Sequence, residues 1–298
     1  MNPFHGRAGA FAALGLLALI WGYNWVAMKV ALEYVPPFPF AALRGIGGGI
    51  VLLLLLALLR KPLRVRTPGW MVLLALTQTT GFAALTSLAL ATGSAGKAAI
   101  LTYTMPFWVL VLAAPLLGEQ ITPGRAIAGG LGLIGVVLIF APWTARPVYL
   151  SSLYAVGAGI SWAAAVVIAK KTPVHGIWEL LNLNGWQSLV GGVPLAVAAV
   201  LMPSPPIHWT LSFDLVLAYN IVLATSLAWF LWLFVLSRLS AGLSGLASLA
   251  VPVIGIVAAW FQLGERPTPW EGAGALVVIA GLAALAWNRS PRNRLGKA

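Results

Sequence analysis

Long apolar runs alternate with short polar or proline-rich breaks along the chain. A helix that crosses a bilayer needs about 20 consecutive apolar residues, and runs of about that length recur here. Breaks such as Pro36–Pro39 and Pro203–Pro206 end these runs, because proline cannot donate a helical hydrogen bond. The predicted spans are 11–32, 38–59, 69–90, 95–117, 124–142, 150–170, 178–201, 213–237, 242–263 and 270–287. The pattern therefore predicts an all-α integral membrane protein with ten transmembrane helices.

Composition agrees with the hydrophobic pattern and excludes several other classes of protein. Hydrophobic residues make up 60% of the 298 residues and charged residues 8%, whereas soluble domains average about 45–50% and about 25%. The net charge of +12 comes from basic residues between and after apolar runs, so we expect no nucleic-acid partner. Cysteine is absent and the three histidines are scattered, so we expect no metal and no cofactor. The first apolar run should stay in place as a helix rather than be cleaved as a signal peptide.

The basic residues fall unequally on the two sides of the predicted bundle. Lysine and arginine are retained on the cytoplasmic side of a membrane. One side holds Arg7, Arg60, Lys61, Arg64, Arg66, Arg125, Lys170, Lys171, Arg238, Arg289, Arg292, Arg294 and Lys297, whereas the other holds only Lys29, Lys97, Arg146 and Arg266. Both termini, including a basic tail at 289–298, are therefore predicted to be cytoplasmic. That orientation requires an even number of helices.

The chain also contains an internal repeat. Ser94-Ala95-Gly96, Pro106, Leu117-Gly118-Glu119, Thr122-Pro123 and Gly135 recur 146 residues later as Ser240-Ala241-Gly242, Pro252, Leu263-Gly264-Glu265, Thr268-Pro269 and Gly281. Trp21 and Lys29 recur at an offset of 141, and Gly48-Gly49 recur as Gly191-Gly192. We therefore expect two five-helix repeats, 8–142 and 150–288. Because five is odd, the second repeat enters the membrane inverted, an arrangement that suits alternating access.

These features resemble the EamA-type members of the drug/metabolite transporter superfamily. The resemblance rests on the duplicated half and, in each half, on a mid-helix proline followed by Gly-Glu, Thr-Pro and a glycine-rich last helix. It implies a central cavity among helices 1, 3, 4, 6, 8 and 9, with helices 5 and 10 peripheral. It also implies export of amino acids, nucleobases, other metabolites or drugs. The chain is most similar to bacterial inner-membrane exporters of amino acids and aromatic compounds.

Polar side chains inside the spans are the first candidates for substrate contacts, since the membrane penalises a polar group without a partner. The candidates are Asn24, Gln78, Thr79, Tyr103, Ser244 and Ser248. A lone serine or threonine more often bonds to a carbonyl of its own helix. Asparagine, glutamine and tyrosine at membrane depth point more strongly to a wet cavity that binds a small polar cargo.

Trp162 is the best aromatic candidate, because it lies well inside its span and repeats Trp21. An aromatic wall suits apolar or aromatic side chains and would also hold an organic cation. The alternative is that Trp162 only packs between helices. Interfacial positions account for tryptophans at span ends such as Trp70 and Trp209.

Prolines and charged residues supply further candidates. Pro106 and Pro252 fall mid-span, where each is predicted to act as a hinge or as a fixed packing kink. Arg44 lies about 10 Å into its span at 1.5 Å per residue and is a candidate gate or anion contact. Lys29 should extend towards the lipid headgroups.

Glu119 and Glu265 lie at equivalent span ends. We expect them to tie down the loops that follow, with Arg125 and Arg266 as partners. We do not expect them to carry protons.

Taken together, the residues predict a transporter that exports small organic metabolites, most of all amino acids, and that works as a monomer. Acidic residues and histidines are absent from the middles of the spans, which favours facilitated diffusion or exchange over proton coupling. One alternative is a multidrug or organic-cation efflux carrier. Another is a membrane-embedded lipid-processing enzyme, but the clustered catalytic groups that it needs are missing from the sequence.

Overall fold

The computed structural model describes residues 7–141, 149–238 and 250–287, and within these ranges all regular structure is helical. The α-helices are α1 (Arg7–Ala31), α2 (Pro37–Leu58), α3 (Pro68–Leu74), α4 (Phe82–Thr92), α5 (Ala95–Thr102), α6 (Met105–Leu117), α7 (Pro123–Phe140), α8 (Tyr149–Lys171), α9 (Ile177–Leu201), α10 (Leu211–Ala218), α11 (Ala228–Arg238), α12 (Ala250–Leu263) and α13 (Pro269–Trp287). A π-helical segment, π1 (Ala75–Gly81), joins α3 to α4, and a second, π2 (Tyr219–Leu227), joins α10 to α11.

Eight helical stretches of the described chain are long and apolar enough to cross a bilayer, and three of them join consecutive α- and π-helical segments or two α-helices. The first eight predicted spans overlap them, and the predicted starts lie within two residues of the observed helix starts except at α1, which begins at Arg7 rather than 11. The last two predicted spans fall on the shorter apolar helices Ala250–Leu263 and Pro269–Ala284. The chain is therefore a multi-pass membrane protein.

Large apolar side chains cover the outside of the bundle. Leu58 is 82% exposed, Val200 is 85% exposed and Phe261 is 82% exposed. In water such side chains would form an aggregation-prone surface, but lipid tails solvate them. The exposed apolar surface thus fits a protein whose solvent is the bilayer.

The helices α2 and α9 cross closely because glycines lie at their contact. A Cβ atom on Gly49 would lie 2.7 Å from the backbone nitrogen of Leu189, and one on Gly192 would lie 2.5 Å from Ile46 Cγ1. The helices α7 and α13 meet in the same way at Gly135 and Gly274. Close backbone approach at small residues is the usual basis of helix association in membranes. These glycines therefore serve packing.

The two π-helical segments occupy related places in the chain. The 146-residue offset maps Ala75–Gly81 onto 221–227, which lies within π2. Side chains from other helices bond to carbonyl groups of both segments: Ser161 Oγ donates to Thr77 O at 2.7 Å, and Trp21 Nε1 donates to Ala224 O at 3.0 Å. A π-helix breaks the regular pattern of i to i−4 bonds, so such external donors satisfy groups that would otherwise be costly in the membrane.

The span Ala95–Leu117 is interrupted at Tyr103–Thr104, between α5 and α6. Pro106 lies in the first turn of α6, where its missing N–H costs little. The predicted kink is therefore a break, and Pro106 begins the second half of the span. Pro252 is buried near the start of α12, just after residues that the structure does not describe. The predicted hinge role of both prolines stays a prediction.

Lys29 bonds to backbone carbonyl groups, which corrects the expectation that its side chain extends towards the lipid headgroups. Its Nζ atom donates to Leu90 O at 2.6 Å and to Gly93 O at 2.7 Å. The last carbonyl groups of a helix lack helical partners and carry partial negative charge, so they attract a cation. Lys29 therefore caps the C-terminus of α4.

The two repeated glutamates have different partners. Glu119 pairs with Lys170 at 2.7 Å and with the predicted Arg125 at 3.8 Å. The two carboxylate oxygens of Glu265 accept the backbone N–H groups of Ala95 and Gly96 at 2.9 and 3.1 Å. Glu265 thus ties the C-terminal end of α12 to the N-terminus of α5, a contact between helices far apart in the chain that the loop-based prediction missed.

Candidate functional site

A cavity of about 110 Å³ lies among the helices. It is lined by Trp21, Asn24, Trp25, Met28, Arg44, Gly45, Gln78, Thr79, Phe82, Ala83, Tyr103, Trp162, Gln187, Ser188, Ala224, Thr225 and Trp229. A cavity of this volume holds several waters or a small organic molecule, since one water needs roughly 10–15 Å³.

The helix α1 contributes one continuous stripe to the cavity. Trp21, Asn24, Trp25 and Met28 are spaced by three or four residues, so they share one face of the helix. The stripe mixes apolar, amide and thioether groups. A molecule that contacts it therefore meets both apolar surface and hydrogen-bonding atoms.

Aromatic rings form a connected wall on the cavity. Trp162 packs against Tyr103 and against Phe82, with ring centroids 5.4 Å apart in both pairs. Tyr103 continues to Trp25 at 6.4 Å in an edge-on arrangement. Rings held in this way have little freedom to move, so the wall presents a preformed apolar surface.

Arg44 places a positive charge at the cavity without a matching negative charge. Its Nη1 atom donates to the sulfur of Met28 at 2.7 Å, and a thioether is only a weak acceptor. All six side-chain carboxylates of the chain belong to described residues, and the cavity lining contains none of them. The guanidinium therefore has donors left for an anion or for water.

An amide and hydroxyl cluster also lines the cavity. Thr79 Oγ1 donates to Gln187 Oε1 at 3.0 Å, and Gln187 Nε2 donates to Asn184 Oδ1 at 3.3 Å. Gln187 is 2% exposed. By contrast, the Oδ1 atom of Asn24 is buried without a hydrogen-bond partner among the described residues. A buried acceptor in this state is ready to accept a donor from a bound molecule.

These groups suit binding better than catalysis. Histidine, aspartate and glutamate do not cluster as metal ligands in the described part of the chain. The described lining residues offer one cation, several neutral hydrogen-bonding groups and aromatic rings. Together these groups can hold a small molecule that has both a polar and an apolar end.

A comparison with protein families identifies the chain. The model of the EamA-like transporter family matches it twice, at residues 8–141 and 150–287. The chain belongs to the EamA-like transporter family. Its function is thus transport rather than enzymatic catalysis.

Individual proteins similar to this EamA-like chain carry transporter names. The uncharacterized transporter YoaV of Bacillus subtilis is 29% identical over 90% of this chain and 94% of its own length. A "Probable amino-acid metabolite efflux pump" of Salmonella typhimurium is 29% identical over 93% of this chain and 94% of its own length. The protein of the same name in Escherichia coli is 29% identical over 90% of this chain and 91% of its own length. Small organic molecules and the lipid bilayer are therefore the partners that the family implies.

A solved crystal structure shares the fold. It superimposes with a TM-score of 0.65 at 21% sequence identity, covering 94% of this chain and 98% of the other. At this identity the likeness concerns the fold alone.

The structure brings most of the sequence-predicted site residues of this EamA-like transporter together. Asn24, Arg44, Gln78, Thr79, Tyr103 and Trp162 all line the cavity. Ser244 and Ser248 lie outside the described residues. Pro106 is not part of the lining, and neither is Pro252. That the lining residues bind substrate stays a prediction.

The resemblance omits the second and seventh predicted spans, now α2 and α9, from the cavity, so Arg44 was the only candidate from these two helices and Gln187 and Ser188 of α9 were missed. Gln187 and Ser188 reach the cavity because glycines let α9 lie against α2 and π1. One signal was available: Gln187 follows Arg44 at the same offset of 143 that relates Gly48 to Gly191. Lys97, a second basic residue near a span, is not part of the lining. It pairs with Glu271 at 3.1 Å.

Proposed function

We propose that this protein exports amino acids, aromatic ones included, by alternating access around the central cavity. The observation that carries the proposal is the combination of a guanidinium without a carboxylate partner, a free amide acceptor and an aromatic wall. The names of the Salmonella and Escherichia coli relatives support the same cargo. The cargo is a small molecule with separate polar and apolar ends.

The proposed machine has ten transmembrane helices in two inverted five-helix repeats. Two matches to one family model, at residues 8–141 and 150–287, support the repeat boundaries of 8–142 and 150–288. The pairing of α2 with α9 and of α7 with α13 supports the same arrangement, because each pair joins equivalent helices of the two repeats. The inverted symmetry supplies two related states that open to opposite sides.

We place the protein in the bacterial inner membrane with both termini, and the basic tail 289–298, in the cytoplasm. The relatives from Bacillus, Salmonella and Escherichia support the membrane, and the uneven distribution of lysine and arginine supports the orientation. One chain encloses the cavity, so a monomer suffices for transport.

The proposed energetics are facilitated diffusion or exchange. A proton-coupled carrier uses a carboxylate or histidine near its substrate, and the described lining of this cavity has neither. Collapse of the pH gradient should therefore leave transport unchanged while the cargo gradient is intact. Loss of transport under that condition would contradict this part of the proposal.

A multidrug or organic-cation carrier is the alternative, and the aromatic wall alone would suit it. Arg44 disfavours it, because an unpaired guanidinium repels a cationic cargo. A sugar-phosphate exchanger would need several cations for a dianion, and the described lining has one.

Counterflow into liposomes tests the proposal directly. Purified protein would be tested with amino acids, nucleobases, sugar phosphates and cationic dyes as competing cargos, with protein-free liposomes as the control. We expect counterflow of amino acids. Exclusive transport of sugar phosphates or of cationic dyes would refute the amino-acid proposal.

A further inference from the structure

The charge of Arg44 needs an anionic partner that the protein itself does not supply. Five N–H donors belong to a guanidinium, and one of them contacts the sulfur of Met28. The cavity lining includes no side-chain carboxylate, and two of the carboxylates elsewhere serve other contacts: Glu265 caps α5, and Glu271 pairs with Lys97. A planar carboxylate matches the fork of a guanidinium and accepts two parallel bonds from it.

Asn24 supplies a second, separate polar contact. The residue is only 5% exposed, and its Oδ1 atom is buried with no hydrogen-bond partner among the described residues. An amide oxygen accepts hydrogen bonds from an ammonium group. Asn24 thus provides a hydrogen-bond acceptor for a cation, and Arg44 provides hydrogen-bond donors for an anion.

The spacing of the two contacts follows from α1. Asn24 and Met28 are four residues apart on the cavity face of the helix, so their Cβ atoms lie about 5–6 Å apart. Because Arg44 touches the Met28 side chain, its guanidinium lies beside the face of α1 that carries Asn24. The carboxylate and ammonium groups of an α-amino acid are joined through one carbon, and they can bridge two such contacts.

We infer that Arg44 binds the carboxylate and Asn24 the ammonium group of an α-amino acid whose apolar or aromatic side chain lies against Trp162, Tyr103 and Phe82. The inference rests on the proposed function and names the chemistry of its cargo. It makes Arg44 a substrate contact rather than a gate. It also predicts that a molecule without a carboxylate binds poorly.

Three related compounds separate the two contacts: phenylalanine, 3-phenylpropionate, which lacks the ammonium group, and phenethylamine, which lacks the carboxylate. Binding to the purified full-length protein can be followed through the fluorescence of the cavity tryptophans, which these compounds do not obscure. Wild-type protein should bind phenylalanine at least about tenfold more tightly than phenethylamine, which corresponds to about 1.4 kcal/mol.

Substitutions then assign each contact. Arg44→Gln should weaken the binding of phenylalanine and of 3-phenylpropionate about tenfold or more. The binding of phenethylamine should be unchanged or tighter. Asn24→Leu should weaken the binding of phenylalanine and phenethylamine and should leave the binding of 3-phenylpropionate unchanged. Arg44→Lys keeps the positive charge but lacks the paired donors of a guanidinium, so it should retain part of the preference for carboxylates. It replaces Arg44→Gln in the experiment if that variant does not fold.

The inference is wrong if wild-type protein binds phenethylamine as tightly as phenylalanine, or if Arg44→Gln weakens all three compounds equally. An absence of amino-acid counterflow in liposomes would instead refute the proposed function. In that case the preference for 3-phenylpropionate over phenethylamine, and its loss in Arg44→Gln, still decides whether Arg44 binds carboxylates.

Discussion

Thr79 and Gln187 are joined across 3.0 Å by a buried hydrogen bond from Thr79 Oγ1 to Gln187 Oε1. The bond links π1 to α9, and both residues line the cavity. Gln187 Nε2 in turn donates to Asn184 Oδ1 on the same helix, so the three side chains form a hydrogen-bonded chain. In lipid such a chain is stable only while each member keeps its partner.

Thr79→Val should lower the free energy of unfolding, because it leaves the buried Gln187 carbonyl without its donor. Hydrogen bonds between membrane helices average about 0.6 kcal/mol and reach about 1.7 kcal/mol. Equilibrium denaturation in mixed micelles would measure the loss. Thr77→Val is the matched control, since Thr77 Oγ1 bonds to Leu73 O of its own span. Equal stability of the two variants would contradict the prediction.

Gly191→Ala should destabilise the helix packing around α9. A Cβ atom there would lie 2.5 Å from the backbone oxygen of Ala75, which cannot move as a flexible side chain does. Overpacking of this kind costs about 1–3 kcal/mol. Gly130→Ala, on α7, is the control because no atom lies within 4 Å of its added Cβ. It should be neutral or stabilising by up to about 1 kcal/mol, since alanine favours helix. A thermal melt in detergent would compare them.

Lys29→Met should cost more stability than Lys170→Met. Lys29 is partly buried and donates to two helix-terminal carbonyl groups, whereas Lys170 pairs with Glu119 where the two side chains are 45% and 40% exposed. Charged hydrogen bonds contribute about 1.5–3 kcal/mol, but exposed ion pairs about 0–1 kcal/mol. Unfolding in denaturant at two salt concentrations would separate the effects, because salt should weaken only the Lys170 pair. A larger loss for Lys170→Met would refute the capping role.

Trp162→Ala should slow amino-acid counterflow without loss of folded protein. The substitution removes the ring that contacts both Tyr103 and Phe82 at the cavity. One aromatic contact between this ring and the cargo would contribute about 0.5–1.5 kcal/mol, so we expect a roughly twofold to tenfold effect, and Trp162→Phe should retain most activity. Trp209→Ala is the control, since Trp209 is 60% exposed.

Gln78→Ala tests the polar side of the same cavity, which Gln78 lines. It should also impair counterflow, because it removes an amide that can hydrogen-bond the cargo. Normal transport in both Gln78→Ala and Trp162→Ala would return these residues to a packing role. Gel filtration of each variant would establish that it is folded.

The helix positions could be predicted closely, since a bilayer imposes a length on each apolar run. The first eight predicted spans begin within four residues of the observed helices, and seven of them within two. Local deviations were beyond such reasoning. The π-helical turns of π1 and π2 change neither length nor hydrophobicity, and the break at Tyr103–Thr104 is marked only by Pro106.

The candidate site could be predicted in part. Arg44, Asn24 and Trp162 were legible because a polar or aromatic residue stands out in an apolar span. Gln187 was equally polar, but its helix was not expected at the cavity. Lys29 and Glu265 were assigned to the wrong partners, because those partners are backbone groups of residues far along the chain.

The sequence by itself determined which segments enter the membrane and how its two halves correspond, because hydrophobicity and a constant offset are properties of the chain alone. Only the tertiary structure decided which polar groups meet, such as Thr79 with Gln187 and Arg44 with Met28. The reason is that hydrophobicity places a helix in the bilayer without setting its rotation about its own axis. The close contacts at Gly49, Gly191 and Gly192 set that rotation, and with it the side chains that face the cavity.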